Sequence, residues 1–152
     1  MEVKFISGIG VPADFKVAYC AKDGVIKGSI GDCVPRSRCK VISVDLKLKV
    51  YFSTDGGELL GFEYECNPDL LPAASLTKPF APDGYIKLQE QLYMFDDINF
   101  VAFGSLKAVY DCDEKLLLIG EEREDLSLYK VCKNMSIGVD SCDRISCFLI
   151  NI

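Results

Sequence analysis

The sequence predicts an all-β or β-rich α+β fold, an antiparallel sheet of successive hairpins arranged as a sandwich or a barrel-like form. Apolar and polar residues alternate at period two over much of the chain, and clusters rich in Asp and Gly interrupt the alternation where tight turns belong. Length and composition bound the answer. With 152 residues, 49% hydrophobic and 26% charged, the chain suits a single domain, 1–152, with a core of its own.

Along the chain, Phe15, Val17 and Tyr19 share a face before Lys22-Asp23-Gly24, after which Val25 to Ile30 returns as a strand. The stretch from Lys40 to Ser53 alternates best: Ile42, Val44, Leu46, Leu48, Val50 and Phe52 fill every even position, which predicts one long strand with a dry and a wet face. Thr54-Asp55-Gly56-Gly57 supplies a turn, and Leu60, Phe62, Tyr64 and Cys66 resume the pattern. Asn67 to Gly84 holds Pro68, Pro72, Pro79 and Pro82, so it reads as a crossover whose Leu70, Leu71, Leu76 and Phe80 need somewhere to pack. Tyr85 to Phe95 leaves a strand and one short helix both open. Leu106 to Tyr110 turns at Asp113-Glu114 into Leu116 to Ile119, and Met135 to Val139 turns at Ser141-Cys142 into Ile145 to Ile152. The spacing of the turns admits two similar halves, 1–66 and 85–152, joined by the Pro-rich crossover 67–84.

Histidine is absent, which removes the commonest general base and metal ligand and every Ser-His or Cys-His pair. Gly8-Ile9-Gly10 lacks the third glycine of a dinucleotide loop, and Asp96 and Asp97 are adjacent, so on an extended chain they diverge. The turn containing Asp111, Asp113 and Glu114 offers oxygens but lacks the glycine and terminal glutamate of a calcium loop. The expectation is therefore no catalytic residues, no metal and no cofactor, with carboxylate or thiol chemistry as the route left for an enzyme. Eight cysteines without a Cys-x-x-Cys pair or an export-like start are expected to be free thiols in a cytoplasmic protein, and no apolar run approaches the roughly 20 residues of a membrane span.

Charge is concentrated. Residues 1–66 are neutral overall, whereas 111–125 carry Asp111, Asp113, Glu114, Glu121, Glu122, Glu124 and Asp125 against Lys115 and Arg123, in a chain of net charge −6. These seven carboxylates are the candidate binding surface for a basic protein partner, since concentrated charge steers encounter. The same acidity argues against nucleic acid, and Arg36-Ser37-Arg38-Cys39-Lys40 is too small a basic cluster to reverse that. A solvated face that aids solubility is the alternative account of the charge.

Leu128-Tyr129-Lys130-Val131, Ile137-Gly138-Val139-Asp140 and the run Ile145 to Ile152 form a terminal hairpin that resembles those of bacterial toxin immunity proteins, including the contact-dependent growth inhibition type. The resemblance implies a cytosolic protein that neutralises a cognate toxin, often a basic nuclease, by direct complex formation. A sandwich or barrel holding a small ligand among the tyrosines and phenylalanines is the other binding function open to this sequence.

Overall fold

The computed structural model describes residues 3–30, 39–44, 47–89, 98–99 and 107–152. It is an antiparallel β structure whose strands are β1 (Phe5–Ile9), β2 (Ala18–Cys20), β3 (Val25–Ser29), β4 (Cys39–Val44), β5 (Leu48–Ser53), β6 (Leu59–Glu65), β7 (Gly84–Leu88), β8 (Ile98–Asn99), β9 (Ala108–Asp111), β10 (Leu116–Gly120), β11 (Ser127–Cys132), β12 (Met135–Val139) and β13 (Ile145–Asn151). They form a six-stranded sheet β2-β3-β6-β5-β4-β8, a five-stranded sheet β11-β12-β13-β10-β9 and the pair β1-β7. Among the described residues the sheets do not close into a barrel. Helix among the described residues is limited to a short 3-10 turn, Pro68–Leu70. Tyr85 to Leu88 lie in strand β7, while residues 90–95, where a helix was the other expectation, lie outside the described residues, as do Leu106, Asp96, Asp97 and residues 31–38.

All four expected turns are present, and each hairpin carries one left-handed residue: Gly24 (φ 65°), Gly57 (77°), Lys115 (52°) and Asp143 (61°). A fifth hairpin, β11–β12, turns on Asn134 (φ 73°). The long strand expected from Lys40 to Ser53 is instead the hairpin β4–β5. Its pairs Ile42↔Val50 and Val44↔Leu48 join even positions to even positions, so the buried parity runs straight through the connection and hides it. Ile42, Leu48, Val50 and Phe52 are all buried.

The two large sheets repeat one topology: a hairpin (β2–β3, β9–β10), then a three-stranded meander whose last strand (β6, β13) pairs with the hairpin's second strand. Hydrogen bonds repeat with it. Cys66 N–H donates to the Gly24 carbonyl at 3.1 Å as Ile152 does to Lys115 at 3.0 Å; Glu65 donates to Lys47 at 2.9 Å as Asn151 does to Asn134 at 2.9 Å; Ile30 donates to Leu60 at 2.9 Å as Glu121 does to Ser146 at 3.1 Å. Even the register shift between Tyr51 and Phe52 recurs between Gly138 and Val139. Equivalent residues Phe62 and Phe148 meet in the shared core, ring centroids 5.2 Å apart, among Ile26, Leu48, Leu117 and Ile137.

The halves differ on their outer faces. In the five-stranded sheet, Leu116, Leu118, Cys147 and Leu149 form a second apolar cluster, covered by Leu76 of the crossover and by Leu126 and Leu128. The corresponding positions of the six-stranded sheet are Val25, Lys27, Gly61 and Glu63. The crossover thus packs as a strap, but only in part: Leu71 and Leu76 are partly buried, whereas Leu70 and Phe80 are 81% and 88% exposed. Their expected packing is not made.

Candidate functional site

The seven candidate carboxylates fall into two groups at opposite ends of β10, whose five residues rise about 3.4 Å each. Asp111, Asp113 and Glu114 lie in the turn before it; Glu121, Glu122, Glu124 and Asp125 lie in the loop after it.

Asp111 is not part of a surface. It is 6% exposed, and its carboxylate accepts from the N–H groups of Leu76 (2.7 Å), Asp113 (3.1 Å) and Glu114 (3.1 Å). The Leu76 bond, then that from Glu114, hold its carboxyl below the usual aspartate value against the opposing effect of burial. Sequence reasoning counted it as a charge to be offered, whereas the fold uses it to close a turn and to anchor the strap 35 residues away. The other six carboxylates are exposed.

The 121–125 loop is held at both ends. Glu121 N–H donates to the Ser146 carbonyl, the Ser146 hydroxyl donates back to the Glu121 carbonyl at 2.9 Å, and Leu126 N–H donates to Arg123 at 3.3 Å. Arg123 turns to Asp125 (3.3 Å) and to Asp140 (3.8 Å), which Arg144 also bonds at 3.1 Å. Burial raises the Asp140 carboxyl, but N–H bonds from Arg144 and Cys142 and the Arg144 charge outweigh it and bring the value down. Asp140 is therefore a structural anion that fixes Arg123, leaving Glu121, Glu122 and Glu124 without a cation of their own on the loop.

At the other end of β10 a cavity of about 590 Å³ opens between the two sheets, lined by Lys16, Tyr19, Tyr110, Lys115, Asn134 and Asn151. That volume is in the range of small-ligand sites. Tyr19 and Tyr110 occupy equivalent positions on β2 and β9, whereas the core phenylalanines lie elsewhere, stacked as Phe62 with Phe148 and Phe5 with Phe52. Burial and then the charge of Asp69 raise the Tyr110 hydroxyl, so it stays protonated.

The cysteines Cys20, Cys66, Cys112, Cys132, Cys142 and Cys147 are free; Cys33 lies outside the described residues. Burial pushes the thiols up to about 11 at Cys66 and about 12 at Cys132 and Cys147, so none of these three is a thiolate nucleophile near neutral pH. Among the described residues no three Cys, Asp or Glu side chains converge as metal ligands, and no helix is long and apolar enough to cross a membrane. No protein-family model matches the chain, and a search of curated proteins finds none with significant similarity.

Proposed function

We propose that the protein is a binding module that presents the 121–125 end of its five-stranded sheet to a basic protein partner. The observation that carries this reading is the loop itself: Glu121, Glu122, Glu124 and Asp125 all face solvent on five residues, pinned to β13 through Ser146 and braced by Arg123 on Asp140. A loop whose backbone is pinned keeps the carboxylates grouped at one place, which favours register as well as encounter rate. On the resemblance to immunity proteins, the partner is a toxin domain and the setting is the bacterial cytoplasm.

The test is recovery of the partner from the native host by pull-down, followed by association kinetics of the wild-type protein and a variant with Glu121, Glu122, Glu124 and Asp125 changed to lysine. Reversal should slow association by about tenfold or more at low salt and much less at high salt, with dissociation less affected. Equal association rates at every salt concentration would leave the loop a solubilising face and overturn the proposal.

A further inference from the structure

The repeated topology makes one difference between the halves conspicuous. On β9 the backbone of Tyr110 faces outward and is paired: its N–H donates to the Pro72 carbonyl at 3.0 Å and its carbonyl accepts from Ala74 at 3.1 Å, both on the strap. Its counterpart on β2 is Tyr19. Val17, two residues earlier and so facing the same way, donates to the Lys133 carbonyl at 3.1 Å. Among the described residues nothing pairs with the outward N–H and carbonyl of Tyr19. The strap follows directly from Cys66, whose equivalent is Ile152, and Ile152, Asn151 and Tyr19 all line the 590 Å³ cavity. The cavity therefore occupies, beside β2, the place that the strap fills beside β9.

We propose that the edge of β2 at Tyr19 is a strand-addition site that takes an extended, carboxylate-bearing peptide segment of a partner protein. The occupied twin shows the bonding scheme, two backbone hydrogen bonds to one outward residue, and an open edge of this kind is a template for another chain. Charge selects the segment. Lys16 and Lys115 line the cavity, against Asp69 from the strap. Lys27, half exposed and 3.4 Å from Asp23, with which an incoming carboxylate would share it, stands on the outer face where the strap-covered sheet has Leu118. A segment with leucine at the counterpart of Leu76 would meet a charged face there; one with glutamate would meet a lysine. This site goes beyond the acidic loop and lies at the far end of β10 from it.

The probe is a labelled peptide with the sequence of residues 67–77 carrying L76E, titrated into the full chain by fluorescence anisotropy. Saturable binding is expected, weakened about tenfold by Tyr19→Pro, which removes the donor, and about tenfold at low salt by Lys16→Glu combined with Lys27→Glu, whose surface positions leave the fold intact. Glu121→Lys should not weaken it. In a second arm the same eleven residues are appended after Ile152, raising their local concentration to about millimolar. Hydrogen exchange at the Tyr19 amide should then slow at least about tenfold. No saturation, equal affinity for the lysine-reversed protein, or unchanged Tyr19 exchange in the extended chain each overturns the proposal. So does a dimer of the unmodified protein that protects Tyr19, because a second copy is then the occupant.

Discussion

Gly24 and Lys115 hold the same position in the two halves and the same left-handed backbone, φ 65° and 52°, so exchanging their residues isolates the cost of that conformation. A side chain in this region costs about 1–2 kcal/mol relative to the right-handed side. Glycine in turn gives back roughly 0.5–1 kcal/mol through the greater freedom of the unfolded chain. The net expectation for Lys115→Gly is a gain of about 0.5–1 kcal/mol, and for Gly24→Lys a loss of similar size. Gly24 is a clean site because a Cβ placed there meets nothing within 4 Å, so no Cβ clash adds to the loss. For a chain of this length the shifts correspond to about 1–4 °C in melting temperature. Urea denaturation, with the slope held common to the variants, reads both. A lowered midpoint for Lys115→Gly would mean that the lysine makes a contact worth more than the strain, and a raised midpoint for Gly24→Lys would refute the conformational reasoning altogether.

Asp111→Asn should loosen the strap, seen as faster hydrogen exchange at the Leu76 amide, and should flatten the acid limb of the stability curve. The sign follows from its lowered carboxyl: the contribution is complete above the unfolded aspartate range near 3.9 and is lost as pH falls through the folded value. Phe62→Ala and Phe148→Ala should each cost about 3–5 kcal/mol in denaturant unfolding, with a coupling of about 0.5–1.5 kcal/mol in the double mutant; strict additivity would mean that the ring contact is not made. Among the six described thiols, the exposed Cys112 and Cys142 should react with a thiol reagent in the native protein at neutral pH, whereas Cys132 and Cys147 should react only after unfolding; rapid native labelling of the latter two would contradict their burial.

The hairpins were legible in the sequence wherever a turn residue announced itself: Asp23-Gly24, Asp55-Gly56 and the acidic turns at 113 and 141 all stand where alternation breaks. The β4–β5 connection was not legible, because its even-to-even pairing keeps the alternation unbroken and neither glycine nor proline marks it. Asn134 was a signal that could have been used, since asparagine tolerates the left-handed region better than other non-glycine residues. The candidate site was legible as charge but not as geometry. Seven acids in a row of fifteen residues look like one patch until a five-residue strand divides them, and nothing in the residue type separates Asp111, spent on backbone N–H groups, from Glu121, facing water. The open edge of β2 needs the fold, because it is defined by what pairs with its twin.

Among the described residues strand β1 pairs only with β7, 79 residues further along at their first positions, and it carries the buried Phe5. Five strands of the six-stranded sheet, β2 to β6, are complete by residue 65. During synthesis that sheet can therefore assemble on neighbours in sequence while Phe5 still lacks its partner strand, and the slow, long-range closure is the β1–β7 zip. Until it closes, an apolar strand with a free edge precedes five paired strands whose inner face, with Phe62, still awaits Phe148 of the other sheet. The interval before β7 leaves the ribosome is thus one in which the edge of β1 is open to mispairing with another copy of the chain.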